Sequence, residues 1–255
     1  MTRSVTRWAL FSGGHDSLAS THYAMEQGDA EAVLHLDTTT GIPENEAFVR
    51  DVCDRYDWPL RVERAPITLY EFAVRYGFPG SAAHSWAYRY LKERQLGRVA
   101  TDTDGKPRYI TGVRKHESQR RMRTVESEIQ EADRWIWQAP MFDRRDHEVE
   151  AYLSEHDLPT NPVVETIHRS GECNCGAFAN RDEELALLEA HYPDFADWLL
   201  TVEGYVQLEI GNDEPYCWWG HSSLPSPKLR ELVHRHDTPQ MTLCEDCLWD
   251  AAADA

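Results

Sequence analysis

Between a short apolar run and a stretch with helical character, Ser12 to Ser17 read S-G-G-H-D-S. Paired glycines permit backbone with positive φ and let main-chain N–H groups close on an anion, and a following helix adds the positive end of its dipole. Ser12 and Ser17 can donate hydroxyl hydrogen bonds to phosphate oxygens, while Asp16 can cap the helix or orient a metal. A tight turn with serine or aspartate as N-cap is the plainer use of the same residues. No Gly-Lys-Ser/Thr follows, so this is not a Walker A loop. A second anion-seeking segment is T-G-V-R-K-H-E-S-Q-R-R, from Thr111 to Arg121. The guanidinium forks of Arg114 and Arg121 suit bidentate contact with phosphate or sulfonate, and Glu117 can hold an arginine in place. Read alone, this segment is equally a solvated basic turn.

Four of the six cysteines form close pairs, Cys173 with Cys175 and Cys244 with Cys247. One or two residues between thiolates let a chain wrap a single centre, so the four are candidate ligands of a [4Fe–4S] cluster or, alternatively, zinc, with unmetallated thiols as a third reading. Cys53 lies inside an amphipathic segment and reads as a buried apolar residue. Cys217 is a further thiol. His168 and His221 are lone histidines, and Trp218, Trp219 and Trp249 read as core aromatics rather than a stacking platform.

These residues need a frame. Apolar segments of about five residues alternate with longer amphipathic ones. Strands are expected at Trp8–Phe11, Ala32–Leu36, Leu60–Glu63, Arg108–Thr111 and Trp135–Gln138, and helices at Ser17–Gln27, Glu44–Tyr56, Ala82–Leu96, Asp146–His156 and Asp182–His191. Alternation of this kind predicts an α/β fold, a doubly wound, mostly parallel five-stranded sheet with ligands beyond the carboxyl ends of its strands. From about Thr160 the composition turns to proline, glycine and cysteine. The expected division is a nucleotide-binding domain over 1–165 and a small cysteine-bearing, helical C-terminal region over 166–255.

The formal charge is −18, and only four of the 26 basic residues are lysine, namely Lys92, Lys106, Lys115 and Lys228. Such an acidic, lysine-poor composition is expected of a halophile's protein, kept soluble in concentrated salt by self-repulsion. It also disfavours loose nucleic-acid binding, which needs basic surface to displace counterions, so nucleic acid is expected only through a partner. No apolar run long enough to span a bilayer and no export signal is evident, which predicts a cytoplasmic protein without membrane contact.

In order along the chain, these motifs resemble one family. S-G-G-H-D-S resembles the PP-loop of the adenine nucleotide alpha-hydrolase-like superfamily, which includes ATP pyrophosphatases and sulfonucleotide reductases. His15 stands where lysine is common. L-H-L-D-T-T-T-G-I-P-E resembles the strand end of the PAPS reductase family, matched at Asp37, Thr38, Gly41, Pro43 and Glu44, with two extra threonines. Gly112, Arg114, Glu117, Ser118 and Arg121 match its arginine segment, and L-P-T-N-P-V-V matches its later L-P-x-N-P run. The resemblance implies a Rossmann-like fold and an adenine nucleotide, ATP or PAPS/APS, held by Ser12, Gly13, Gly14, His15, Ser17, Asp37, Thr38, Gly112, Glu117 and Ser118. Asp16, Arg114 and Arg121 are then the catalytic candidates. With a sulfonucleotide the implied reaction is thiol-dependent reduction to sulfite by a thioredoxin-type partner; with ATP and Mg²⁺ it is α–β cleavage and adenylation of an acceptor. A cluster-bearing sulfur-transfer enzyme with a sulfur donor, and a nucleotide or redox sensor without chemistry, are the alternatives, and a homodimer is open. The family's E-C-G-L-H tail has no counterpart in this sequence, and its adjacent cysteine pair is replaced by C-x-C.

Overall fold

The computed structural model describes residues 5–116, 127–221 and 226–235. Six strands form one sheet in the order β3-β2-β1-β4-β6-β5. Strand β1 (Arg7–Leu10) leads through the S-G-G loop into helix α1 (His15–Glu26), and β2 (Ala32–Asp37) into α2 (Pro43–Arg55). Strand β3 (Leu60–Arg64) is followed by α3 (Leu69–Tyr76), whose first turn is closed by reciprocal bonds between Thr68 and Glu71. Next come α4 (His84–Tyr88), α5 (Arg94–Thr101), β4 (Arg108–Ile110), β5 (Ile129–Glu131) and β6 (Ile136–Gln138). Helices α6 (Asp146–Glu155), α7 (Pro162–Ile167), α8 (Arg181–His191), α9 (Pro193–Ile210) and α10 (Pro227–Arg235) complete the described chain.

The expected five strands are all present and β1, β2, β3, β4 and β6 are parallel. A sixth was not expected: β5 runs antiparallel to β6 at the sheet edge. It is three residues long with Ile129 and Glu131 exposed, too short for a period-2 pattern to reveal. The expected helix over Ala82–Leu96 is interrupted: a π-helical stretch, Arg89–Glu93, separates α4 from α5. Such bulges frequently mark functional positions, and Lys92 lies on this one.

Along β1 the side chains alternate as a strand demands. Trp8 and Leu10 pack with Leu34, Leu36, Leu96 and Tyr109 on one face, whereas Phe11 packs with Leu18, Val33, Phe48 and Val49 on the other. With both faces covered, β1 is the apolar spine of the molecule. A larger core joins Leu69, Phe72 and Trp86 to Val163, Cys173, Phe195, Leu199 and Trp219. The cysteine-bearing region therefore shares a core with the helices that flank the sheet.

Candidate nucleotide site

The register pairs Leu10 with Leu34 and Ala9 with Ile110, so β1, β2 and β4 finish at one level. Between β2 and β4 the connections leave in opposite directions from β1, which opens a crevice at the carboxyl ends. The S-G-G loop sits there. Gly13 has φ of +92°, and a Cβ on it would come 2.0 Å from Asn45 Oδ1. Gly14 is the N-cap of α1, and Ser17 Oγ donates to its carbonyl at 2.9 Å. The Ser12 and Ser17 hydroxyls are 3.0 Å apart, and the Ser12 N–H donates to Ser17 Oγ at 3.3 Å. His15 and Asp16 form the first turn of the helix.

Three side chains missed at the sequence level hold this loop. Asn45 Nδ2 donates to the Ser12 carbonyl at 2.9 Å, Asn161 Nδ2 donates to the Gly13 carbonyl at 2.9 Å and to Asn45 Oδ1 at 2.7 Å. These bonds hold the Ser12 and Gly13 carbonyls against α2 and the start of α7. Asn161 also caps α7 by accepting from the Val163 N–H, the local reason for Asn before Pro in N-P-V-V. His35, buried on β2, donates from Nδ1 to the Phe11 carbonyl at 2.7 Å. Burial lowers its pKa and keeps the ring neutral.

Asp16 and Arg114, two catalytic candidates, are engaged with each other. Arg114 is buried, with one terminal nitrogen 2.8 Å from Asp16 Oδ2 and the other 2.6 Å from Asp146 Oδ1. Burial opposes its charge, but the two carboxylates outweigh burial and its pKa is raised. This pair ties the segment after β4 to the first turn of α1 and to α6. Gly112 lies in the crevice wall. Glu117, Ser118 and Arg121 lie outside the described residues.

The strand-end loop gives Thr40, one of the two extra threonines, a partner. Asp37 Oδ1 accepts from the Thr39 N–H at 2.7 Å, Thr39 adopting positive φ. Thr38 Oγ1 donates to the Glu172 carbonyl at 2.7 Å, and Asn174 donates from N to Thr40 Oγ1 at 3.0 Å and from Nδ2 to the Thr40 carbonyl at 2.9 Å. Thr38 and Thr40 are thus a socket for the C-x-C segment. From the other side Trp219 Nε1 donates to the Asn174 carbonyl at 2.8 Å, and Trp219 is itself held by Glu203.

Cys173 and Cys175 are buried free thiols in hydrogen-bond contact with each other. That bond and burial push the Cys175 thiol well above its ordinary range, with Lys92 acting in the opposite sense. Among the described residues no group of three or more His, Cys, Asp or Glu is arranged to hold a metal ion, and Cys244 and Cys247 lie outside them. The described donors amount to two thiols, which do not complete a cluster or a zinc site. Cys53 is in the α2 core as expected, and Cys217 is buried. His221 donates from Nε2 to the Phe78 carbonyl, His168 caps α7 in a left-handed conformation, and Trp218 is half-exposed against a buried Trp219. Trp249 is outside the described residues.

Beside the loop lies a cleft lined by Leu10, Phe11, Ser12, Leu34, Leu36, Lys92, Thr111, Gly112 and Glu172. Apolar walls with a few convergent polar groups suit a purine nucleoside, and the adjoining loop suits its phosphates. A mostly parallel α/β sheet with a glycine loop leading from its central strand into a helix agrees with the PP-loop class of nucleotide-binding proteins. Residues 6–176 match the phosphoadenosine phosphosulfate reductase domain. The chain belongs to the PAPS reductase family.

Among individual relatives, a phosphoadenosine 5'-phosphosulfate reductase of Alkalilimnicola ehrlichii is 29% identical over 155 residues, 60% of this chain and 62% of that protein. The match thus spans about three fifths of the relative. A PAPS reductase from Candida auris, solved as a phosphate complex, is 19% identical, with 63% of this chain and 77% of that one covered at a TM-score of 0.48. The U34-tRNA thiolase NcsA of Methanococcus maripaludis, solved with its [4Fe–4S] cluster, is 12% identical over 94% of this chain and 84% of that one, at a TM-score of 0.42. Among the described residues no helix is long and apolar enough to cross a membrane.

Proposed function

We propose that this chain binds an adenine sulfonucleotide in the cleft beside the Ser12–Ser17 loop and takes part in its thiol-dependent reduction to sulfite. The observation that carries this reading is the meeting of an anion loop and a buried lysine on one apolar cleft: Ser12 and Lys92 line the same cavity. The adenosine occupies the apolar walls formed by Leu10, Leu34 and Leu36, and the phosphosulfate runs from the loop N–H groups and the Ser12 and Ser17 hydroxyls toward the Lys92 ammonium. Fixed donors aimed at developing negative charge on the departing phosphate lower the barrier without reorganisation. In the balanced reaction two thiols, from an external dithiol protein, supply two electrons. A thiolate attacks the sulfonyl sulfur and breaks its bond to the phosphate oxygen, the second thiol displaces sulfite, and a disulfide and two protons result. Asp16 and Arg114 contribute by holding the loop and the wall of the cleft in register.

The reaction is tested by incubating the protein with PAPS or APS and reduced thioredoxin while sulfite is quantified, and with ATP and Mg²⁺ while pyrophosphate is quantified. Sulfite release supports the reductase. Pyrophosphate release from ATP without sulfite would replace it with an adenylating enzyme.

A further inference from the structure

Arg114 is a buried cation with two unequal partners. It follows Gly112 of the cleft wall by two residues, and its guanidinium reaches the first turn of α1, where Nη2 lies 2.8 Å from Asp16 Oδ2. Nη1 lies 2.6 Å from Asp146 Oδ1 at the start of α6 and donates to the Arg144 carbonyl at 3.5 Å. The Arg114 side chain is 7% exposed and that of Asp16 15%, whereas Asp146 is 78% exposed. One carboxylate is built into the support of the loop, and the other stands in water.

The two do not complete the donor set of the cation, for Nε is buried with no hydrogen-bond partner among the described residues. A guanidinium carries five donors and suits anions with several acceptor oxygens, as phosphate and sulfate have. An exposed carboxylate gains little from pairing, because water serves it nearly as well. A buried guanidinium loses heavily when a partner leaves and none replaces it. Asp146 can therefore leave as another anion arrives, and Asp16, far less exposed, stays. The surroundings are accessible: the Lys115 N–H donates to the Phe142 carbonyl at 2.7 Å, which lays the segment after β4 beside the one before α6, and Lys115 and Arg144 are more than half exposed. Both sit in open pairs, Lys115 with Asp143 at 3.9 Å and Arg144 with Glu148 at 3.4 Å.

We propose that Asp146 is a displaceable stand-in for a ligand oxyanion of phosphate or sulfate type. It holds Arg114 Nη1 in the free protein, turns out to water when such an oxyanion reaches the loop end of the crevice, and leaves Arg114 anchored on Asp16. Asp146 then competes with the ligand, so deleting its carboxylate tightens binding. The exchange rests on the nucleotide reading above where the oxyanion is the nucleotide's own; inorganic phosphate would use the same contacts.

The test is a set of binding titrations of the wild type and Asp146→Ala with adenosine 5'-phosphosulfate, with ATP and, separately, with inorganic phosphate, in about 1 M KCl, where screening confines electrostatic reach to about 3 Å. Asp146→Ala is expected to bind about two- to fivefold more tightly, the fold-change that corresponds to one exposed pair, with a urea midpoint unchanged or lower. A residue that only braced the fold would weaken binding or leave it unaltered. Asp143→Asn removes an equal charge that is paired with Lys115 rather than Arg114, and it is expected to leave the affinities as they are. Tightening toward a nucleotide assigns the oxyanion to that nucleotide, tightening toward phosphate alone assigns it to a free anion, and either supports the exchange. Affinity that falls or stays constant in Asp146→Ala, or equal tightening in Asp143→Asn, overturns it. A wild type that binds neither nucleotide overturns the nucleotide reading, and the phosphate titration then decides the exchange by itself.

Discussion

Gly13 shows how much of the site depends on single residues. Its φ of +92° and the 2.0 Å approach of a would-be Cβ to Asn45 Oδ1 leave no room for a side chain. Gly13→Ala is expected to cost about 1–3 kcal/mol of stability from backbone strain and to abolish detectable nucleotide binding, as read by urea unfolding and a binding titration. A variant with wild-type affinity would remove the loop from the site. Asp16 supplies a second prediction. Removing one partner of a buried ion pair strands the other, so Asp16→Asn is expected to destabilise by about 3 kcal/mol, the lower end of the range for such pairs because Asp146 remains on Arg114. The glycines and Asp16 were legible from residue type and spacing. Lys92 and Glu172 were not, since a lysine in an amphipathic segment and a glutamate in a glycine- and cysteine-bearing one look solvated until the fold buries them against each other.

Among the elements, the segment around Cys173 and Cys175 is clamped between the β2 end and Trp219. The Asn174 side chain holds three bonds there, from Nδ2 to the Thr40 and Gly171 carbonyls and from Arg169 to Oδ1, beside the bond of its N–H to Thr40 Oγ1. Asn174→Ala leaves buried groups unsatisfied and is expected to cost about 1–3 kcal/mol in denaturant unfolding, whereas Thr166→Ala on the exposed face of α7 is expected to change stability by less than about 0.5 kcal/mol. His35 gives the end of β1 a pH dependence. Its folded pKa lies below the unfolded value, so the stability it contributes is whole above about pH 6.5 and is lost as pH falls toward the folded pKa. Unfolding measured at pH 7.5 and 5.5 should show a loss that His35→Gln reduces. The parallel strands and α1 were readable because their apolar residues keep period; the break at Arg89–Glu93 was not, because a π-helical turn leaves the same amphipathic pattern in the sequence as a continuous helix. Of the two added threonines, which looked like an interruption, Thr40 proves to be a hydrogen-bonding partner of Asn174, more than 130 residues away.

For the whole molecule, a formal charge of −18 sets the conditions under which it is stable. Screening shortens electrostatic reach from about 10 Å at 0.1 M to about 3 Å at 1 M salt. It weakens exposed pairs such as Arg50 with Glu46, worth at most about 1 kcal/mol each, but it weakens the repulsion among the excess carboxylates more. Tm is therefore expected to rise between 0.1 and 2 M KCl, and a fall would contradict this balance. The mostly parallel α/β sheet, the family and the loop followed from the sequence because they rest on local pattern. The expected boundary at residue 165 rested on a change of composition; the core that joins Leu69 to Trp219 and the bonds from Thr38 and Thr40 to the cysteine segment are long-range and leave no local mark. The most direct test of the account is a crystal structure of the protein with adenosine 5'-phosphosulfate. It should show the phosphosulfate within hydrogen-bond distance of the Gly13–Ser17 N–H groups and of Lys92 Nζ, with adenosine over Leu34 and Leu36; a nucleotide seated elsewhere, with the loop and Lys92 untouched, would contradict it.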